Sequence, residues 1–167
     1  MISLRPLRDD DQSNISQWPP YPDELRHLDY ALRENGWIRE FRPQAGSFLF
    51  AGEENGTLIG FTILCNSAAT TAEFRIALRA DCLGQGRGRI LAHLTLQEGF
   101  TRLGLNEIQL IVRPDNARAI RLYHRLGFSH RSDCYRIIQG EEVAFYILEL
   151  SRQAFMDQQP SRGTNHA

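Results

Sequence analysis

The chain has 167 residues and a formal net charge of −1 at pH 7, a length that suits one domain with its own core. A charge so close to zero gives no reason to expect nucleic acid or an anionic membrane as a partner. All 19 basic residues are arginine, which excludes a lysine Schiff base and a P-loop lysine. The 3 cysteines are scattered, and neither they nor the 5 histidines have metal-ligand spacing. We therefore expect no disulfides, no metal and a cytoplasmic protein.

Local patterns in the first half predict a short strand, two helices and a three-stranded meander. Acids at 9–11 offer caps for a first helix, and the proline-rich run 18–22 stops it. A second helix is predicted from Asp23 to about Asn35, with Gly36 at its end. The pair Asn55-Gly56 is a strong hairpin signal between two apolar runs.

The second half alternates strands with helices and ends in a hairpin around Gln139-Gly140. Helices are predicted over 88–103 and 117–126. The strands, in chain order, are expected at 2–5, 47–53, 58–66, 72–78, 107–112, 134–138 and 143–150. Helices between strands, with hairpins on either side, predict a mixed α/β (α+β) fold with helices on both faces of one sheet. We expect a single domain over 1–157 and a polar, frayed tail over 158–167.

A glycine cluster, Gly84-Gln85-Gly86-Arg87-Gly88, follows an apolar strand and opens a helix. Backbone N–H groups at a helix start have no intrahelical partner, the helix dipole favours negative charge there, and glycine lets a ligand come close. A P-loop would need lysine, and a dinucleotide fingerprint would need glycine where Arg89 stands. A plain strand-to-helix turn is the alternative. The cluster predicts a site for a phosphate-bearing ligand.

A second motif runs from Asn116 to Phe128. Its pattern is Asn-x-x-Ala-x-x-Leu-Tyr-x-x-x-Gly-Phe, and the matching residues are Asn116, Ala119, Leu122, Tyr123, Gly127 and Phe128. With the glycine cluster, where Leu83 replaces the usual Arg or Gln, it resembles the GNAT superfamily of acetyl-CoA-dependent N-acetyltransferases. The resemblance implies a GNAT-like, mostly antiparallel sheet of about seven strands with a V-shaped splay between the fourth and fifth.

The resemblance also implies acetyl-CoA as cosubstrate. The residues that would bind it are Ile76, Ala77, Leu78, Gly84, Gln85, Gly86, Arg87, Gly88, Arg89, Asn116 and Ala119. The first three would hold the pantetheine arm like an added strand. The amides around the glycines would hold the pyrophosphate, with Arg87 and Arg89 adding charge-assisted contacts. Asn116 would bond the pantetheine or its loop, and a plain N-cap is its alternative role.

Tyr123 is the implied catalytic acid, because the family places this phenol beside the CoA sulfur. A phenol is protonated at neutral pH and can donate to a departing thiolate, although a packed core aromatic is the alternative. Glu73 is the candidate base, and a solvated edge glutamate is its alternative. Ile111 stands where the ribosomal-type N-terminal acetyltransferases have glutamate, which speaks against that subgroup's base. His124 and Glu107 are weaker candidates.

The acceptor side is expected in the first third of the chain, where Trp18, Tyr21 and Glu24 combine aromatic faces with an acid. Packing under the proline-rich turn is the alternative. The expected activity moves the acetyl group directly, in a ternary complex, to a primary amine of a small molecule or peptide. A CoA-binding sensor or partner module without turnover, and an enzyme for longer acyl-CoA, are the alternatives. A homodimer is considered as well.

Overall fold

The computed structural model describes residues 1–158, and one sheet of seven strands runs through them in the order β1-β2-β3-β4-β5-β7-β6. The strands are β1 (Ile2–Pro6), β2 (Ser47–Glu54), β3 (Thr57–Ala68), β4 (Thr71–Leu78), β5 (Glu107–Val112), β6 (Ser129–Ile138) and β7 (Glu141–Ser151). Neighbouring strands are antiparallel except for the pair β4–β5. The predicted mixed, mostly antiparallel sheet is thus confirmed.

Five α-helices accompany the sheet within the described residues: α1 (Asp9–Ser16), α2 (Trp37–Phe41), α3 (Arg87–Thr101), α4 (Ala117–Leu126) and α5 (Arg152–Asp157). Helix α4 begins and ends where the sequence predicted. Helix α5 was not predicted, and its cap is the Ser151 hydroxyl, which accepts from the Ala154 N–H at 3.0 Å. None of the helices in residues 1–158 is long and apolar enough to cross a membrane.

The predicted second helix is wrong in type and extent. The chain forms a 3₁₀ helix, Asp23–Leu32, and Gly36 begins α2 instead of ending the preceding helix. Side-chain ties override helix propensity here, because Asp29 accepts from the Tyr21 N–H and pairs with Arg33. Gly36 packs so closely on the preceding carbonyl groups that no Cβ would fit.

Two apolar clusters cover opposite faces of the sheet. The first combines one face of the sheet with α3, α4 and α5, and Leu96, Phe100 and Leu110 are buried at its centre. The second packs α1, the 3₁₀ helix and α2 onto the other face, and draws its strand residues from β2, β3 and β4. Helices therefore lie on both faces, but on the second face they cover only half of the sheet.

The parallel pair β4–β5 is short. Its register contains three residue pairs, and the last joins Glu73 to Gln109. Beyond them β4 continues to Leu78 and β5 to Val112 without pairing to each other. The predicted V-shaped splay between the fourth and fifth strands is therefore present, with its vertex at Glu73.

Two predicted boundaries differ from the structure or fall outside it. Strand β6 begins at Ser129, five positions before the predicted start at 134, because its polar first half pairs with β7 while remaining exposed. The tail predicted over 158–167 lies outside the described residues, apart from Gln158.

Candidate active site

The free edge of β4 forms one wall of the splay. The Arg79 N–H donates to the Ile59 carbonyl of β3 at 2.8 Å. Because backbone groups alternate in direction along a strand, those of Ile76 and Leu78 point towards the splay instead. One of them is already in use, since the Tyr21 hydroxyl donates to the Leu78 carbonyl at 2.5 Å. Among the described residues, the Ile76 N–H and C=O and the Leu78 N–H have no strand partner.

The glycine loop lies directly after this wall. Gly84 and Gly86 have φ of 75° and 82°, left-handed values that glycine adopts without strain, and Gly86 is the N-cap of α3. The first backbone bond at the helix start runs from the Ile90 N–H to the Gly86 carbonyl at 3.4 Å. Among the described residues, the amides of 85–89 have no backbone acceptor. Those amides form the unpaired cradle that the sequence predicted.

Arginine side chains surround the loop. Arg87 is held by an ion pair with Glu54 of β2 at 2.6 Å and by the Gln85 side chain, so only part of its guanidinium is available. Arg89 is exposed on the first turn of α3. The guanidinium of Arg118, on the first turn of α4, packs directly on Gly84 and occupies the space that a Cβ there would need.

Arg118 is a residue that the motif analysis missed. It occupies a variable position of the second motif, so the pattern itself gives no signal. A signal nevertheless exists, because helix starts favour acids, yet the first turns of α3 and α4 contain none. Two neighbouring helix starts that carry arginine in place of acids are typical of a site for an anion.

Helix α4 brings the second motif to the splay. The Asn116 side chain accepts from the Ala119 N–H at 3.2 Å, so the N-cap role describes it. A Cβ on Gly88 would stand 3.3 Å from Leu78 and 3.9 Å from Leu122. The starts of α3 and α4 and the end of β4 therefore converge on one place, which brings the predicted cofactor-binding residues together.

Tyr123 packs its ring in the first apolar cluster, edge-to-face with Phe128 at 5.8 Å between ring centroids. Its hydroxyl has no hydrogen bond to any described residue. Burial raises the pKa of Tyr123 to about 12, because the phenolate would lose its hydration. The side chain is therefore a protonated donor at neutral pH with its O–H uncommitted.

Glu73 stands at the vertex of the splay, on the face opposite to α3 and α4. Its Oε1 accepts from Arg75 at 2.9 Å. The Arg75 guanidinium in turn lies over the rings of Trp37 at 5.0 Å and Phe41 at 4.7 Å. The predicted base is thus an ion-paired carboxylate with its second oxygen, Oε2, available.

The predicted acceptor-binding residues divide into two groups. Trp18 and Tyr21 are buried in the second apolar cluster, with 5% and 9% of their surface exposed. The packing alternative therefore describes their side chains. Tyr21 contacts the splay through its hydrogen bond to the Leu78 carbonyl. Glu24 is exposed on the first turn of the 3₁₀ helix.

The 3₁₀ helix bridges the two arms of the splay. Tyr21, just before it, bonds to the end of β4. His27, within it, lies in the electrostatic field of Arg113 and Asp115, directly after β5. The pKa of His27 is lowered mainly by burial and also by the nearby positive charge of Arg113. Its buried Nε2 has no hydrogen-bond partner among the described residues. Sequence reasoning missed His27, since its neighbours come from distant parts of the chain.

A known family of enzymes shares this sequence pattern. Residues 7–128, more than half of the chain, match the model of the Acetyltransferase (GNAT) family. The chain belongs to this family of N-acetyltransferases. Over residues 1–158 the structure contains no group of three or more His, Cys, Asp or Glu side chains that could hold a metal ion.

Relatives include enzymes with different amine acceptors. The spermidine N(1)-acetyltransferase of Escherichia coli strain K12 is 39% identical over 64 residues, 38% of this chain and 34% of that protein. The [ribosomal protein bS18]-alanine N-acetyltransferase of the same strain is 33% identical over 97 residues, 56% of this chain and 65% of that protein. The chain thus spans less than two thirds of the length of either relative.

Solved structures extend the likeness to nearly the whole fold. The spermidine N-acetyltransferase from Vibrio cholerae, solved in complex with CoA and spermine, superposes with a TM-score of 0.70 at 25% identity. The match covers 93% of this chain and 98% of that one. A point mutant of the Vibrio cholerae enzyme gives a TM-score of 0.74 at 22% identity, over 95% of this chain and 98% of that one.

Proposed function

We propose that the protein transfers the acetyl group of acetyl-CoA directly to a primary amine of a small molecule or peptide. One observation carries this proposal: β4 and β5 part after Glu73 and Gln109, and the helices that carry the unpaired amides and the Tyr123 phenol pack on the same face of the sheet. The gap would let a thioester arm on one face of the sheet meet an amine that enters from the other face. The family and the amine acceptors in its relatives' names agree with it.

The cradle suits the pyrophosphate of acetyl-CoA. The amides of 85–89 lie together at the N-terminus of α3, where the helix dipole favours an anion. Arg89 and Arg118 add positive charge at the two helix starts, while Arg87 contributes less because Glu54 holds it. Gly86 has open space around its Cβ position, so a phosphate can approach the backbone closely.

The pantetheine arm would pair with the free edge of β4 as an added strand. Because Tyr21 occupies the Leu78 carbonyl, the arm is left with the backbone of Ile76 and the Leu78 N–H. A backbone N–H in this stretch can also polarise the thioester carbonyl and stabilise the oxyanion.

The chemical step then forms one bond and breaks another. The amine nitrogen bonds to the thioester carbonyl carbon, the C–S bond breaks, the amine loses a proton and the thiolate gains one. Tyr123 would supply that proton from its uncommitted O–H. Glu73 would accept the amine's proton on Oε2, directly or through a water, while Arg75 keeps Oε1. Tyr123 lies on the face of α3 and α4 and Glu73 on the opposite face, so the two residues would act from the two sides of the splay.

Calorimetry and a thiol-detection assay on the same purified protein test the proposal. We expect acetyl-CoA to bind in the micromolar range and CoA to be released only when an amine acceptor is present. Binding without release across amino acids, peptides, polyamines and aminoglycosides would favour the sensor alternative. Failure of any coenzyme A species to bind would overturn both.

A further inference from the structure

Within residues 1–158, the second apolar cluster covers only one half of its face of the sheet. Strands β5 and β7 turn Leu110, Leu148 and Leu150 towards α3 and α4. Side chains at alternate positions point to the opposite face, and the apolar cluster there contains no residue of β5, β6 or β7. This bare half-face borders the splay on the side where an acceptor would meet the thioester.

The centre of the half-face is apolar. Ile111 of β5 lies directly across from Ile147 of β7, and Phe145, two positions before Ile147, points to the same face. Ile111 and Ile147 are half-buried, and Phe145, under the Arg113 guanidinium, is buried. A compact apolar group of a ligand can cover such a strip.

The three carboxylates beside the paired part of β5 are each engaged with arginine. At the vertex Glu73 is paired with Arg75. Further down, Glu107 and Glu149 both lie 3.4 Å from Arg131. The two acids are also hydrogen-bonded to each other, which raises the pKa of Glu149. Glu141 of β7 is exposed and has no ion pair with a described residue, but it lies on the β6–β7 hairpin beyond the end of β5.

Arg113 differs from the arginines just described. It follows β5 at the open end of the splay, is half-buried, and its guanidinium lies 5.9 Å from the ring centroid of Phe145. It forms no ion pair with a described residue, although the exposed Asp115 is two positions away in the turn. Beside it, His27 adds no competing negative charge. An uncompensated guanidinium at this place favours an anionic group on the acceptor.

We propose that the acceptor is an α-amino acid with an apolar side chain, whose carboxylate binds Arg113. Strand geometry places Arg113 about 7 Å along β5 from Ile111, so a carboxylate on Arg113 leaves the adjacent amine within reach of the splay. The side chain lies on Ile111 and Ile147, the half-buried members of the strip. This inference rests on the proposed function and specifies its acceptor.

A polyamine fits the half-face poorly. Beside the splay it would bring two or more ammonium groups to carboxylates that are already paired with arginine and to the unpaired Arg113 guanidinium. The likeness to spermidine acetyltransferases therefore extends to the fold and not, in this inference, to the acceptor.

Steady-state kinetics with matched acceptors test the inference. L-leucine, its carboxamide L-leucinamide and spermidine are compared at saturating acetyl-CoA for the unchanged protein, Arg113→Gln and Arg113→Lys. Arg125→Gln, an exposed change on α4, is the control. We expect leucine to be the best of the three. Arg113→Gln should lower kcat/KM for leucine roughly 10- to 100-fold, through KM, because a charge-assisted contact is lost.

The carboxamide substrate, leucinamide, distinguishes loss of the Arg113–carboxylate contact from a general loss of activity in the variant. Arg113→Gln should leave leucinamide turnover unchanged, and Arg113→Lys should recover part of the leucine activity because it keeps the charge. Better turnover of spermidine or of leucinamide than of leucine by the unchanged protein would overturn the inference while supporting the proposed function. Binding of acetyl-CoA without CoA release for any acceptor would overturn both.

Discussion

The two sides of the splay are constructed differently. The proposed coenzyme side consists of three short continuous segments, 76–78, 84–89 and 116–128, and much of it is backbone. The proposed acceptor side collects His27, Arg75, Arg113 and Phe145 from a 3₁₀ helix, two strands and a strand exit. Contiguous segments hold a ligand part that every such enzyme shares, whereas dispersed side chains can change one at a time. We therefore expect changes on the first side to affect every acceptor equally and changes on the second to discriminate among acceptors.

Removal of the Tyr123 hydroxyl is expected to have the largest effect. Tyr123→Phe should lower kcat about 10²- to 10⁴-fold, the usual contribution of a general acid, with every acceptor. Calorimetry should find the affinity for acetyl-CoA unchanged, because the ring still packs against Phe128. Tyr135→Phe, on the exposed edge strand β6, is the matched control. An unaltered kcat in Tyr123→Phe would remove the phenol from the mechanism.

A methyl group in the glycine loop should weaken coenzyme binding. Gly86→Ala places a Cβ among the free amides at φ 82°, and we expect acetyl-CoA to bind about tenfold or more weakly. Gly104→Ala is the control, since Gly104 has φ 67° and equally open surroundings but lies far from the loop. Both variants should lose roughly 1 kcal/mol of unfolding free energy. Equal coenzyme affinities in the two would contradict the cradle.

Tyr21 should matter for stability more than for chemistry. Tyr21→Phe leaves the buried Leu78 carbonyl without its donor, which should cost about 1–3 kcal/mol in the free energy of unfolding. Urea denaturation measures this. Tyr30→Phe, which removes a hydroxyl from a half-buried site, should cost less. If Tyr21 instead binds the acceptor, KM will rise while stability stays constant.

The pH dependence should show the smallest change. Burial raises the pKa of Tyr123 from an ordinary value of 10.0 to about 12, so the phenol stays protonated between about pH 6 and pH 10. Activity should rise with pH as the acceptor amine loses its proton, without an alkaline decline in this range. The stability that the raised pKa contributes is complete below about pH 10 and is lost only as pH rises towards 12. A falling limb near pH 8 would assign the donor role to another group.

Much of the coenzyme side could be predicted from the sequence because its signals are local. Residues 84–88 indicate a turn, Asn116 a cap and Gly127 a helix end, and each acts within a few positions. Apolar runs and hairpin signals likewise predicted the seven strands.

The acceptor side could not be predicted, since its contacts depend on sheet register. Nothing near Tyr21 indicates that it reaches Leu78, and nothing near Arg113 indicates that it lies over Phe145. The 3₁₀ helix was missed because Asp29 also accepts from the Tyr21 N–H, and this tie to the preceding loop outweighs local helix propensity. The Arg118 contact with Gly84 is also long-range, although an arginine at a helix start is a local signal.

The cations around the splay all carry guanidinium groups: Arg75, Arg87, Arg89, Arg113 and Arg118. A guanidinium stays protonated at any physiological pH and has no lone pair for attack on a carbonyl. Since the sequence contains no lysine, no side-chain amine of the protein can compete with the acceptor for an activated acetyl group. In the proposed reaction the thioester would therefore lie among cations that it cannot acylate.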